Sequence, residues 1–208
     1  MLRDALLQCG LVAILRGIFP DEISNVAEIL YTQGFRVIEV PLNSPQPVES
    51  IVRLSKILPA DCIVGAGTVF LPAQVEEVRA AGGKLIVMPH NDRSVITAAI
   101  TAHLEVIPGV ATASEAFAAF AAGPTLLKVF PADHLGPAIL KAWLSALPRQ
   151  VGLIPVGGIT PENLGAFIAA GAVGVGVGSA LYRPGMTAGN IELRAKTFVT
   201  AWQEATTR

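Results

Sequence analysis

Charge is scarce in this 208-residue chain: Asp, Glu, Lys and Arg together make up 15% of it, against about a quarter in ordinary globular proteins. The formal net charge is -1 and no basic block occurs, so the chain lacks the electrostatic footprint of a nucleic-acid binder or of a protein held on an acidic membrane surface. Cysteine is scarce too. Cys9 and Cys62 stand far apart in no paired motif, which excludes a disulfide framework and fits a reducing, cytoplasmic setting. No apolar run is long enough to span a bilayer. Arg3 and the apolar residues after it imitate a signal peptide only weakly, because Asp4 and Gln8 interrupt them and no small-residue cleavage site follows before Arg16. That stretch reads as a short helix running into a strand. Neither the G-x-G-x-x-G dinucleotide pattern nor a G-x-x-x-x-G-K-[ST] phosphate loop is present, which disfavours NAD and ATP. His90, His103 and His134 have no metal-ligand spacing, and the carboxylate cluster that magnesium needs is missing. The expectation is no metal and no cofactor, with His134 a solvated loop histidine.

What the chain does have is apolar content, 52% of residues, arranged in short runs. Val12–Arg16, Arg36–Val40, Cys62–Ala66, Leu85–Met88, Leu104–Ile107, Thr125–Val129, Leu153–Val156 and Val173–Val177 read as strands. Each is followed by a segment fit for a helix. Starts are marked by Pro20-Asp21-Glu22, Ser44-Pro45, Leu71-Pro72, Asn91-Asp92, Thr112-Ala113-Ser114-Glu115, Gly136-Pro137 and Thr160-Pro161-Glu162. Gly34, Gly82, Gly123 and Gly171 each close a helix before the next strand. Eight such units predict an α/β fold, a small (β/α)8 TIM barrel, as one domain over residues 1–208 with a short N-terminal helix. A doubly wound open sheet is the alternative.

Reactive groups of such a barrel sit at the C-terminal ends of its strands. Lys128 lies in Leu126-Leu127-Lys128-Val129, among apolar residues. Either its ammonium reaches water at the strand end, or burial lowers its pKa from about 10.4 and yields a neutral amine able to form a Schiff base. Glu39, in Val37-Ile38-Glu39-Val40, is either half of a salt bridge with Arg36 or Lys128, or a general acid/base beside the lysine. Period-two alternation groups Ile14 with Arg16, Val37 with Glu39 and Leu126 with Lys128, so three charges converge if those faces point inward. Arg16 is a surface residue or a bidentate clamp for a carboxylate, and the Thr68 hydroxyl, after Gly65-Ala66-Gly67, can donate to the same group. Gly157-Gly158 and Gly178-Ser179 end the last two strands. They serve tight turns, or they form a phosphate site at helix N-termini.

Six segments carry a resemblance: Ala13-Ile14-Leu15-Arg16-Gly17, Ile38-Glu39-Val40-Pro41-Leu42-Asn43-Ser44-Pro45, Ile63-Val64-Gly65-Ala66-Gly67-Thr68-Val69, Leu127-Lys128-Val129-Phe130-Pro131, Val156-Gly157-Gly158-Ile159-Thr160-Pro161-Glu162-Asn163-Leu164 and Gly178-Ser179-Ala180-Leu181-Tyr182-Arg183. In order and spacing they resemble the class I 2-keto-3-deoxy-6-phosphosugar aldolases. The resemblance implies a reversible retro-aldol reaction giving pyruvate and D-glyceraldehyde 3-phosphate. It makes Lys128 the Schiff-base lysine and Glu39 the acid/base. Arg16 and Thr68 then hold the pyruvyl carboxylate, Pro89 lines the site, and Gly157, Gly158, Gly178 and Ser179 bind phosphate. It implies a homotrimer whose partners are a phosphosugar acid and pyruvate, with no nucleic acid and no membrane. The phosphogluconate-specific sister family carries arginine four residues after its catalytic glutamate, where this chain has Asn43, which points to the galactonate branch. Pro155 is sister-like, so some activity on the gluconate epimer is expected, with Glu39, Ile154 and Pro155 discriminating at C4. The alternatives are a gluconate-specific or dual-epimer aldolase, a phosphosugar epimerase or isomerase, and a non-catalytic phosphosugar-binding module.

Overall fold

Parallel pairing runs through the whole sheet. The computed structural model describes residues 1–207, and Arg208, the last residue of the expected domain, lies outside them. Strands form at β1 (Leu11–Ile14), β2 (Val37–Pro41), β3 (Ile63–Gly67), β4 (Leu85–Val87), β5 (Glu105–Ile107), β6 (Gly109–Val110), β7 (Leu126–Val129), β8 (Gly152–Pro155) and β9 (Val175–Val177). Every apolar run picked out above overlaps one. The fifth continues past its expected end but is broken at Pro108, which has no N–H to give to a ladder. The order is β5-β4-β3-β2-β1-β9 in one sheet and β6-β7-β8 in the other. Only Pro108 separates β5 from β6, and its carbonyl accepts the Lys128 N–H at 2.9 Å. On the far side Val156 bridges Gly176 in parallel, and the Val173 N–H donates to the Leu153 carbonyl at 3.0 Å. The architecture is α/β, a curled parallel sheet with helices in its crossovers.

Alternation along the strands separates two layers. Leu11, Ala13, Ile38, Val40, Leu127, Val129 and Leu153 pack outward against the helices. Val12, Ile14, Val37, Ile63, Leu126, Ile154 and Val156 fill the inside of the curl. Helix α1 (Leu2–Gln8) adds Leu2, Ala5 and Leu6 to that inner cluster and so closes its N-terminal end. Leu2 is 1% exposed and Leu6 4%, and burial of each contributes about 1.5–3 kcal/mol. Glu105 Oε1 accepts the Leu2 N–H at 3.1 Å, and Arg3 donates to the Thr125 carbonyl at 3.1 Å and to that of Gln150 at 2.5 Å. The short N-terminal helix expected from the sequence is therefore a floor.

The crossover helices are α2 (Ile23–Thr32), α3 (Pro47–Ile57), α4 (Pro72–Ala80), α5 (Arg93–Thr101), α6 (Ala113–Ala121), α7 (Ala132–Leu144), α8 (Leu164–Ala169) and α9 (Ala188–Thr206). Asp92 caps α5 by accepting from the Ser94 and Val95 N–H groups, and Thr112 with Glu115 forms a reciprocal box on α6. All four helix-closing glycines take positive φ. Three starts differ from expectation. Gln46, at φ 43, cannot join a right-handed helix, so α3 begins at Pro47 instead of Ser44-Pro45. Thr160-Pro161-Glu162 form a turn, and α8 follows from Leu164. α7 begins four residues before Gly136, which interrupts it at φ 73 and ψ 164. Its extra turn is tied down by the Ala132 N–H on the Val156 carbonyl and the Asp133 N–H on the Gly157 carbonyl. His134 thus sits on a helical turn, not in a loop. Among the described residues no helix is long and apolar enough to cross a membrane.

Candidate active site

Glu39 and Lys128 share the inner face with Val37 and Leu126, two residues before each, as strand alternation requires. Both charged groups are buried, Glu39 at 2% and Lys128 at 7% exposure. Neither reads as a structural ion pair. Of the two structural partners considered for Glu39, Arg36 is engaged with Asp61 at 2.9 Å, and Lys128 makes no salt bridge with Glu39 among the described residues. Glu39 Oε2 is buried with no hydrogen-bond partner. Burial pushes the Glu39 carboxyl up from 4.5 to about 7, against the opposing charges of Lys128 and Arg16. Burial also lowers the Lys128 pKa, with Glu39 resisting and Arg16 adding to the fall. The Lys128 ammonium lies 4.9 Å from the centroid of the Phe130 ring. Room for Glu39 is made by Gly67, since a Cβ at that position would overlap the carboxyl group.

Arg16, two residues beyond β1, is exposed at the C-terminal end of the curl. Its Nη2 donates to Thr68 Oγ1 at 3.3 Å and its Nη1 to Asn43 Oδ1 at 2.5 Å. Thr68 holds φ at 57, a strained value for a β-branched residue, and strain of this kind clusters at functional sites. Arg16 and Thr68 are therefore brought together as expected, and Asn43, considered from the sequence only as a missing arginine, joins them. Pro89 is exposed at the end of β4, against Gly109, whose register partner is Lys128.

A cleft of about 870 Å³ opens beside these groups, walled by Arg16, Phe130, Gly157, Gly158, Gly178 and Ser179. Lys128, Glu39, Thr68 and Pro89 are not on its wall, and Phe130 links it to the lysine. Gly157 and Gly158 have φ 102 and 66, in the left-handed region that favours glycine. Asn163, which the sequence reading passed over, fixes their loop by donating to the Gly158 carbonyl at 2.8 Å and accepting the Thr160 N–H at 2.9 Å. The expected helix N-terminus after Gly178-Ser179 is absent: the Leu181 N–H folds back to the Gly178 carbonyl at 2.8 Å, making one turn, and α9 starts only at Ala188. Arg183, also on the cleft wall, donates from Nε to the Ser179 carbonyl at 2.9 Å. Among the described residues the Gly158 and Ser179 N–H groups meet no protein acceptor. His134 and Asp133 pair at 3.0 Å but stay largely exposed, outside the cleft wall. On β8, Ile154 points inward with Val156 while Leu153 packs outward, so alternation also turns Pro155 outward. The expected contact of Pro155 with substrate is not available.

A buried amine and a buried carboxyl on one inner face, beside a glycine-lined cleft, fit a carbon–carbon lyase of the aldolase class. The chain belongs to the aldolase family described as KDPG and KHG aldolase, whose profile matches residues 3–193. It is 44% identical over 192 residues to a probable 2-dehydro-3-deoxy-6-phosphogalactonate aldolase of Rhizobium meliloti (strain 1021), covering 92% of this chain and 91% of that protein. It is 43% identical over 195 residues to the 2-dehydro-3-deoxy-6-phosphogalactonate aldolase of Escherichia coli (strain K12), covering 94% and 95%. A solved native KDPGal structure matches with a TM-score of 0.93 and 42% identity, over 95% of this chain and 96% of that one.

Proposed function

We propose that this chain cleaves 2-dehydro-3-deoxy-6-phosphogalactonate reversibly to pyruvate and D-glyceraldehyde 3-phosphate through an imine on Lys128. The observation that carries the reading is the pair of buried groups on the inner face, a lysine lowered and a glutamate raised to about 7 by the same dry surroundings. Relatives at 43% and 44% identity that bear the galactonate name support the substrate, as does Asn43 in place of the sister family's arginine.

The neutral Lys128 amine adds to the C2 ketone, and the carbinolamine takes a proton from the protonated Glu39 carboxyl and loses water to give an iminium ion. Glu39, directly or through water, takes the C4 hydroxyl proton. The C3–C4 bond breaks, its electron pair moves into the iminium to leave an enamine, and D-glyceraldehyde 3-phosphate departs. A proton from Glu39 returns to C3, and water releases pyruvate and the free amine. A carboxyl with a pKa of about 7 is populated in both forms near neutral pH, so one group serves these proton transfers. Arg16 and Thr68 face the substrate carboxylate. Gly157, Gly158, Gly178 and Ser179 face the phosphate with backbone N–H groups and a hydroxyl, and Arg183 adds positive charge at that end. Pro89 belongs to the rim.

The same reading takes the curled sheet as a closed (β/α)8 barrel forming a single domain, with Pro108 and the Val156–Gly176 bridge as its two seams. It takes the molecule as a homotrimer, in keeping with a surface of few charges that still exposes Phe19, Phe70 and Leu71. It takes the compartment as cytoplasmic, in keeping with two free, buried cysteines, of which burial pushes the Cys62 thiol up to about 12.

Pyruvate with borohydride tests the chemistry. The expected outcome is one reduced adduct that peptide mapping places on Lys128, with Lys128→Arg unlabelled and inactive. Labelling of Lys84 or Lys141 in its stead rejects the assignment. No labelling at all leaves the epimerase, isomerase or binding-module readings standing.

A further inference from the structure

An arginine that recognises a carboxylate has to be held still without being neutralised. Arg16 begins from a poor position for this: it lies past the end of β1, exposed, on a long side chain with many rotamers. Two side-chain acceptors hold it, Asn43 Oδ1 at 2.5 Å and Thr68 Oγ1 at 3.3 Å, and the shorter contact is the one to Asn43. Only the amide oxygen can face a guanidinium, since the amide nitrogen is itself a donor, so the orientation of Asn43 is fixed by its partner.

Asn43 is itself well supported. It follows β2, the strand that carries Glu39. On one side of it the Leu42 N–H donates to the Gly67 carbonyl at 2.8 Å. On the other, the Ser44 N–H donates to the Pro41 carbonyl at 2.9 Å, while Ser44 Oγ, on a residue 8% exposed, accepts the Gly17 N–H at 3.0 Å. One short loop therefore grips Arg16 twice, by its side chain through Asn43 and by the next peptide unit through Ser44.

We propose that Asn43 is a positioning residue for substrate recognition: a neutral acceptor that fixes the Arg16 guanidinium while leaving its charge for the carboxylate of the keto acid. The proposal rests on the reading of Arg16 as that carboxylate's clamp. A guanidinium has five N–H donors, and Asn43 and Thr68 take two, leaving three for a bidentate contact. Aspartate at position 43 keeps the shape and makes a stronger bond to Arg16, yet it cancels the charge and sets a second anion beside the incoming one. The choice of amide over carboxylate is what a clamp demands and what simple loop packing does not.

The test compares wild type, Asn43→Ala, Asn43→Asp and Arg16→Ala, each first checked for an unchanged thermal midpoint, which the exposure of Asn43 favours. The readouts are KM and kcat for cleavage of 2-dehydro-3-deoxy-6-phosphogalactonate and half-saturation by pyruvate in borohydride trapping. Asn43→Ala is expected to raise KM and the pyruvate half-saturation about ten-fold, the worth of one charge-assisted hydrogen bond, with kcat much less affected. Asn43→Asp is expected to be worse, by roughly a hundred-fold, because like charges then face each other. Aspartate binding pyruvate as well as alanine does, or both variants matching wild type while Arg16→Ala weakens binding, overturns the role of Asn43 and leaves the clamp intact. Unchanged pyruvate binding in Arg16→Ala removes the clamp and the proposal with it.

Discussion

Gly67 is what allows Glu39 to stand where it does: the carboxyl occupies the space a side chain at position 67 would need. The two stand on adjacent strands two residues apart in register, with Pro41 of β2 opposite Gly67 of β3 and Glu39 opposite Gly65. A Gly67→Ala variant must therefore displace the acid/base group while leaving the lysine strand alone. Turnover is expected to fall by roughly 10²–10⁴-fold, the range for losing a general acid/base, with pyruvate still trapped on Lys128 by borohydride. Near-normal turnover in that variant contradicts the placement of Glu39.

The acidity of Glu39 fixes the direction of the pH dependence. Its base form, the carboxylate, dominates above about 7. Cleavage should therefore fall as pH drops through that value. Lys128, lowered by burial, also gains its reactive neutral form as pH rises, so both groups favour the alkaline side. Glu39→Gln should lose the near-neutral inflection of kcat/KM and keep the one due to the lysine. A profile for this variant that superimposes on wild type after scaling excludes Glu39 as the titrating base.

The same group is expected to lower stability over the pH range in which its proposed base form appears. Its folded pKa, about 7, lies above the ordinary 4.5. Below 4.5 both folded and unfolded chains carry the proton, and there is no penalty. As pH rises through 7 the unfolded chain has long been ionised while the folded one must bury a charge, so stability is lost across that window. At about 1.36 kcal/mol per pKa unit the full effect is of order 3 kcal/mol. Urea denaturation should find Glu39→Gln more stable than wild type at about pH 8, with the gap shrinking toward about pH 5. A gap that does not change with pH means the carboxyl is not the source.

Selection for the phosphorylated substrate should run through Arg183. Its guanidinium is on the cleft wall and braces the Ser179 carbonyl. Arg183→Gln is expected to lower kcat/KM for the phosphorylated substrate by about ten- to a hundred-fold, and far less for the analogue without phosphate. Equal losses on both point to a damaged turn and not to a lost charge.

Epimer preference gives a sharper test than the sequence alone allowed. Pro155 turns outward on β8, while Ile154, level with Lys128 in the next strand, turns inward. Pro155→Ala should leave the galactonate-to-gluconate ratio of kcat/KM unchanged, and Ile154→Ala should alter it. A strong gluconate preference in wild type rejects the galactonate assignment while leaving the aldolase chemistry in place.

Much of this was legible from local pattern. Short β-branched runs and helix-closing glycines marked every strand but β6, because a parallel sheet buried on both faces leaves little choice of residue. Period two grouped Glu39 with Val37 and Lys128 with Leu126, and the curl of the sheet turned both faces inward. Other features depend on neighbours far along the chain. Nothing near Asn43 announces that Arg16 will reach it, nor does Asn163 look like a brace for Gly158. The extra turn of α7 is set by carbonyls of Val156 and Gly157, more than twenty residues later, so the signal at Gly136-Pro137 marked only the second part of the helix. Pro155 was misjudged because it and its neighbour Ile154 were both set against C4, whereas alternation along β8 lets only one of two adjacent residues face inward.

The helix that floors the curl bears on chemistry at the opposite end. Leu2, Ala5 and Leu6 belong to the same apolar cluster as Val37 and Leu126, the residues two places before Glu39 and Lys128 on their strands, and apolar surroundings of this kind raise a carboxyl's pKa. α1 thus has the place of an insulator for a carboxyl group carried on another element. Loosening it, for example by removing the Arg3 anchors to Thr125 and Gln150, would hydrate the interior from below and draw Glu39 back toward an ordinary carboxylic acid, costing proton transfer without altering one atom of the substrate cleft.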